Sequence, residues 1–279
     1  MKVKLWGTRG SLAAPGADTS RYGGNTSCVE VRGEADTLLV LDAGTGIWRL
    51  GQALPPTLQR VDILLTHLHM DHIQGLAFFA PLRRKEVEAH IWGPASTTRS
   101  LRSRLSQYLS PPLFPVYLRE MQATLHLHEV PAGPIQIGEF HVRADLVCHP
   151  DPTVGYRLES GSVSLAYLPD HEPALGARHF PLSGDWTSGY SLAAGVDLLI
   201  HDSQYTDEEY ADRTGFGHST IGQALAFAKL AEVKHFVPFH HDPGHADDDL
   251  DRYYAEALAA ARPACRVTPG QEGQSFDLG

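Results

Sequence analysis

The densest group of chemically capable side chains in the sequence is the segment THLHMDH at 66–72. It places three histidines and one aspartate within a single short stretch that follows an apolar run. Imidazole and carboxylate groups are ligands for zinc and similar divalent metals. His67 and His69 alternate on an extended segment and therefore face one side. Asp71 and His72 come after a sharp turn and can face a second ion. The spacing predicts a metal centre and is far more specific than an isolated His-x-His pair.

Four side chains cannot complete two metal sites, so further ligands are expected downstream. Three candidates each end an apolar run next to turn-forming residues: His149 in LVCH, Asp170 in SLAYLPD and His240 in HFVPFH. Asp170 is favoured over its neighbour His171 because it directly ends the run. His240 competes with His241 for the same role. The other histidines, at 90, 126, 128, 141, 179, 201 and 235, are interpreted as surface or packing residues.

Short strands must position these side chains. Apolar runs bounded by glycine, proline and aspartate predict strands at 3–7, 27–32, 37–42, 62–66, 88–92, 140–148, 153–159, 163–168, 197–200 and 235–239. Helical spacing of apolar residues predicts helices at 220–233, at 248–261 and within 95–109. No linker interrupts this pattern, and the proline-rich segment at 110–116 is predicted to be a loop. The sequence therefore predicts one layered α/β domain over residues 1–279.

The composition restricts the partners that are expected. The chain has 279 residues with 23 Lys and Arg against 33 Asp and Glu, a formal net charge of −10. This balance argues against a long nucleic acid as partner. A small anionic substrate is expected instead, because bound divalent metals can reverse the local field. Three cysteines do not make a disulfide framework. With no leader and no membrane-length apolar run, a cytoplasmic protein without a membrane partner is expected. The oligomeric state stays open and includes a homo-oligomer.

The order of these residues resembles the metallo-β-lactamase superfamily, in which a histidine, an aspartate and a final histidine follow the HxHxDH loop. The resemblance covers nearly the whole chain and implies a four-layer αββα sandwich. It also implies two divalent metal ions, zinc in the first place and manganese as the alternative, with a water or hydroxide shared between them. The final histidine of the family pattern matches His240. The implied ligands are His67, His69 and His149 for one metal, Asp71, His72 and His240 for the other, and Asp170 as a bridge.

Further segments resemble one branch of the superfamily. WGTRGSLAAPGADTSRYGGNTSCVEV, LDAGTG and HMDHIQGLAFFAPL are similar to the tRNA 3′-processing endonucleases and cyclic-phosphate phosphodiesterases. An aspartate at 170, where many β-lactamases have cysteine, argues against a β-lactamase. In GHSTIGQALAFAKL the resemblance implies that His218 contacts the scissile phosphate, and a helix start there offers free N–H groups to an anion. His218, Asp202 and Asp71 are the candidate catalytic residues, with Asp202 orienting His218.

Two departures bear on the substrate. The tRNA enzymes carry His-Glu-Ala-Thr where this chain has His-Asp-Ser-Gln at 201–204, and the interval 170–197 is short for the long arm with which they grip tRNA. We therefore expect a phosphodiesterase acting on a small phosphodiester or cyclic phosphate. An ester, thioester or lactone hydrolase on the same two metals is the alternative. An iron redox enzyme and a non-catalytic binding module are further alternatives from other classes.

Overall fold

The fold consists of two mixed sheets that pack face to face. The structure is a computed structural model that describes residues 1–177 and 179–279. In these residues each sheet has seven strands, in the orders β14-β1-β2-β3-β4-β5-β6 and β13-β12-β11-β10-β9-β8-β7. The strands are β1 (Lys2–Gly7), β2 (Cys28–Arg32), β3 (Leu38–Leu41), β4 (Arg60–Leu64), β5 (Glu88–Gly93), β6 (Thr124–Glu129), β7 (Ile135–Ile137), β8 (Phe140–Leu146), β9 (Val154–Ser160), β10 (Val163–Leu168), β11 (Leu198–Asp202), β12 (His235–Phe239), β13 (Arg266–Val267) and β14 (Ser275–Asp277).

Helices cover the outer face of each sheet. They are α1 (Ile47–Ala53), α2 (Met70–Ile73), α3 (Leu101–Tyr108), α4 (Tyr190–Ala193), α5 (Asp207–Tyr210), α6 (Ile221–Leu230) and α7 (Asp247–Ala261). One apolar core lies between the first sheet and α1 and α3, a second between the two sheets, and a third between the second sheet and α4, α6 and α7. This confirms the αββα sandwich. None of the described helices is long and apolar enough to cross a membrane.

The long helices begin where the sequence provides caps. Thr220 caps α6 by accepting a hydrogen bond from the backbone N–H of Gln223, and three aspartates occupy the first turn of α7. The predicted strands are all present, with ends that differ from the prediction by at most two residues. The strands β6, β7, β13 and β14 and the short helices α1, α2, α4 and α5 were not predicted.

The arrangement of the strands decides where polar side chains meet. Strands β10, β11 and β12 are parallel neighbours, so their carboxyl ends lie along the same edge of the second sheet. Asp170 follows β10, Asp202 ends β11 and His240 follows β12. The loop after β4 in the first sheet reaches the same edge and carries the segment 66–72. Residues from distant parts of the chain are brought together there.

Candidate metal centre

The loop that follows β4 is held from below by one carboxylate. Asp42 is fully buried and accepts a hydrogen bond of 2.7 Å from the backbone N–H of Thr66. It also accepts one of 2.9 Å from the hydroxyl of Tyr167 in the opposite sheet. The Nδ1–H of His72 donates to the same carboxylate at 2.8 Å. Because that bond fixes the ring of His72, its Nε2 faces the centre of the cluster.

The predicted ligands gather into two groups of ligand atoms. In each group all ligand atoms lie within 4.8 Å of one another. The first group is His67, His69 and His149, and the second is Asp71, His72, Asp170 and His240. The side chain of His69 is 41% exposed, whereas those of His67, His72 and His240 are buried. The cluster therefore opens to solvent on the side of His69.

Asp170 lies between the two groups and presents one oxygen to each. Its Oδ1 is 2.9 Å from Nε2 of His72 and 3.2 Å from Nε2 of His240. Its Oδ2 is 3.7 Å from Nε2 of His67 and 3.8 Å from Nε2 of His149. A carboxylate in this position can serve both groups at once.

Hydrogen bonds fix the remaining imidazoles and Asp71. The Nδ1–H of His149 donates to the carbonyl of Gly217 at 2.8 Å, and that of His240 donates to Oε1 of Gln204 at 2.9 Å. In both rings Nε2 is left pointing inward. The backbone N–H of Ser11 donates to Oδ2 of Asp71 at 2.8 Å. The roles of Gln204 and Ser11 are not predicted from the sequence, because neither residue is a candidate metal ligand or lies next to one.

The donor set fits divalent cations. Nε2 of His67 and Oδ1 of Asp170 are buried and have no hydrogen-bond partner among the described residues, although the latter faces imidazole nitrogens. Burial disfavours a charged His72, yet the carboxylates of Asp170 and Asp71 hold its pKa well above its usual value. The two carboxylates thus stabilise a positive charge at this buried position. A bound metal ion would supply that charge in place of a proton.

His218 lies beside both groups and has a carboxylate partner of its own. Its Nδ1–H donates to Oδ2 of Asp202 at 2.7 Å and is 3.9 Å from Oδ2 of Asp170. Burial opposes protonation of His218, but the charge and hydrogen bond of Asp202 outweigh it and raise the pKa of His218 to about 9. The other oxygen of Asp202 accepts from the backbone N–H groups of Gln204 and Ser219. Asp202 therefore orients His218 and favours its protonated form at the edge of the metal centre.

The neighbours that competed for the ligand roles point elsewhere. The Nε2–H of His241 donates to the carbonyl of Gly270, and the hydroxyl of Tyr254 donates to its Nδ1. Burial lowers the pKa of His241 to about 3. His171 lies 2.9 Å from His201 through its Nδ1, below the metal centre. The geometry thus brings all seven predicted ligands together with His218 and Asp202 and leaves His241 and His171 outside both groups.

A groove leads from the exposed side of His69 across α3. It has a volume of about 590 Å³, and its lining includes Tyr108, Arg104 and Asp151. Arg104 and Asp151 contribute one positive and one negative charge to this lining.

Comparison with known proteins places the chain in a family. It matches the model of the β-lactamase superfamily domain over residues 37–241, a range that contains every predicted ligand. The ribonuclease Z of Brevibacillus brevis is 30% identical, over 88% of this chain and 88% of that protein. The metallo-β-lactamase fold protein YhfI of Bacillus subtilis superposes with a TM-score of 0.71 at 20% identity, over 99% of both chains. The short form of human tRNase Z superposes with a TM-score of 0.69 at 22% identity, over 100% of both chains.

These relatives correct one prediction and identify the family. The expectation that excluded a long nucleic acid as partner is wrong, because relatives that match along most of the chain are named for action on RNA. A net charge summed over the whole surface does not describe the local field at the site, which bound divalent metals would make more positive. The chain belongs to the metallo-β-lactamase superfamily, as a metal-dependent hydrolase related to the ribonuclease Z enzymes.

Proposed function

We propose that this chain hydrolyses phosphodiesters at two divalent metal ions, zinc in the first place and manganese as the alternative. His67, His69 and His149 would hold one ion, and Asp71, His72 and His240 the other. The observation that carries this proposal is the position of Asp170, whose two oxygens each face one group of ligand atoms. When bound, such a metal pair makes a water nucleophilic near neutral pH and neutralises charge on phosphate oxygens.

The chain's own residues would position the phosphate and assist the leaving group. Protonated His218 has Nε2 free, because Nδ1–H is used by Asp202. The ring of His218 lies 5.1 Å from that of His149 and 5.0 Å from that of His240, so a phosphate bound at the two groups would lie beside it. His218 would donate a hydrogen bond to a phosphate oxygen or a proton to the departing alcohol. Asp202 is a positioning residue, since it fixes the ring and keeps it charged.

For the substrate we propose a small phosphodiester or a cyclic phosphate as the minimal unit that is hydrolysed. The site opens through His69 into a groove whose lining is mixed polar and apolar and includes Arg104. Because the relatives include ribonucleases, RNA belongs in the same assay. Esters, thioesters and lactones are the competing substrates on a two-metal centre of this kind.

The test compares wild-type protein with His218→Ala on two phosphodiesters, one with a nitrophenolate leaving group and one with a poor alkoxide leaving group. A lactone, a thioester and a tRNA precursor complete the panel. We expect turnover of phosphodiesters and a loss of roughly a hundredfold or more in His218→Ala on the poor leaving group. The loss should be smaller for nitrophenolate, which needs little protonation.

The matched control is His141→Gln, a change of an exposed histidine on β8. It should retain the wild-type rate on every substrate. Hydrolysis of the lactone or thioester without hydrolysis of any phosphodiester would contradict the proposed function. Full activity of His218→Ala on the poor leaving group would contradict the role of His218.

A further inference from the structure

A second cluster of histidines lies on the first sheet, away from the metal centre. His90 is on β5, and His126 and His128 are on the edge strand β6. In the parallel register His90 lies directly opposite His126. Glu88 precedes His90 by two residues, so both side chains project from the same face of β5. From the sequence alone these histidines are interpreted as surface or packing residues, because the sequence does not predict β6.

Three of these side chains present ligand atoms to a common point. The ligand atoms of Glu88, His90 and His126 all lie within 4.8 Å of one another. Oε2 of Glu88 is 4.0 Å from Nε2 of His90, and the rings of His90 and His126 stack with their centroids 4.5 Å apart. Zinc ligand atoms in a tetrahedral site are separated by about 3.3 Å. Small side-chain rotations on two adjacent strands are sufficient to reach that spacing.

The orientation of His90 is fixed in the way that is typical of a metal ligand. Its Nδ1 is 3.0 Å from Nε2 of His128, whose ring stacks on Trp92 at 4.1 Å. Ligating histidines usually use their second ring nitrogen for such a bond. Nε2 of His90, on the side of Glu88, is buried and has no hydrogen-bond partner within residues 1–177 and 179–279. The ring is thus held with one nitrogen available.

One basic and two acidic side chains lie beside this cluster. Arg60 on β4 is the basic group of this face, and it donates hydrogen bonds of 2.8 and 3.2 Å to Asp62. Asp62 and Glu88 together leave one negative charge in excess of Arg60.

We propose that Glu88, His90 and His126 form a separate site for one divalent transition-metal ion of the zinc, copper and nickel class, with His128 orienting His90. Two imidazoles and one carboxylate leave a coordination position open to solvent. A metal bound there joins β5 to β6 and stabilises an edge strand, because it binds the folded sheet and not the unfolded chain.

The test counts zinc in four full-length proteins: wild type, the double variant His90→Gln with His126→Gln, Glu88→Gln, and the control His141→Gln. Each is equilibrated against a series of buffered free zinc concentrations, and bound zinc per chain is measured by elemental analysis. We expect wild type and control to bind one zinc more than the double variant. Glu88→Gln should bind that zinc about tenfold more weakly. Zinc should also raise the Tm of wild type more than that of the double variant.

The outcome is independent of the metal centre that includes Asp170. Phosphodiesterase activity of the double variant should equal that of wild type, because its substitutions lie outside both groups of ligand atoms. The proposal is overturned if the double variant and wild type bind the same amount of zinc at every free concentration. An equal loss of zinc in His141→Gln would overturn it as well, since general surface binding would then account for the difference.

Discussion

The two sheets contribute to the metal centre in opposite ways. The first sheet delivers four candidate ligands from one loop, His67 to His72, and a single buried carboxylate, Asp42, holds that loop through Thr66 and His72. The second sheet delivers its residues one at a time, at the ends of β10, β11 and β12 and in the loop after β8. One half of the site is therefore a local structure, and the other half is a product of strand register.

This difference predicts how each half responds to change. A residue of the loop is positioned by neighbours within a few positions in the chain and by Asp42. A residue at a strand end is positioned by its strand, so the residue next to it points in another direction, as His240 and His241 do. Asp170 belongs to the second sheet, yet it contacts the histidines of both sheets. Substitutions at these positions test the difference between the loop of the first sheet and the strand ends of the second.

Asp170→Ala should have the largest effect. Removal of the carboxylate that faces both groups should lower metal occupancy in both, and activity should fall by roughly a thousandfold or more. The measurements are metal content after dialysis and the rate on a nitrophenyl phosphodiester. Asp212→Ala, at an exposed position, is the control and should match wild type. If Asp170→Ala retained both metals, the two halves of the site would not meet at this residue.

His240→Ala and His241→Gln should separate two adjacent histidines. We expect His240→Ala to lose one metal and to lower activity by roughly a hundredfold or more. His241→Gln should keep both metals, because the ring of His241 is used by Tyr254 and Gly270. Its cost should be a lower free energy of unfolding by about 1–3 kcal/mol, from buried hydrogen bonds that are lost. Metal counts and denaturant unfolding measure both effects. Loss of a metal in His241→Gln but not in His240→Ala would mean that His241, and not His240, is the ligand after β12.

The sequence predicts the loop of the first sheet better than the strand ends of the second. The segment THLHMDH is recognisable as metal-binding from its spacing alone, which places candidate ligands on both sides of a turn. His149, Asp170 and His240 could be chosen only as metal-compatible residues at the ends of apolar runs, and resemblance was needed to prefer His240 to His241. Strand adjacency, which brings these three together, depends on pairing between distant segments.

There are physical reasons why some elements and contacts could not be predicted from the sequence. Strand β6 reads TLHLHE, in which histidines and charged or polar residues alternate with two leucines, so its hydrophobic signal is weak. Helices α2, α4 and α5 have four residues each, which is too short for a helical periodicity to be visible in the sequence. Gln204 and Gly10 were missed for a different reason: each acts on His240 from another element, and a Cβ at Gly10 would collide with that ring.

Asp202→Asn should have the smallest effect, because Asp202 reaches the reaction only through His218. Both oxygens of Asp202 accept hydrogen bonds from N–H groups. The NH2 group of an asparagine would face one of these donors, so turnover should fall about tenfold. The pH profile separates this role from a structural one. The Asp202 charge keeps the pKa of His218 raised to about 9, so the protonated form is lost only as the pH rises through that value. Without the charge the pKa falls, and the alkaline loss of activity should move to lower pH. Metal content should stay at the wild-type level. A tenfold lower rate with an unshifted alkaline limb would assign Asp202 a structural role alone.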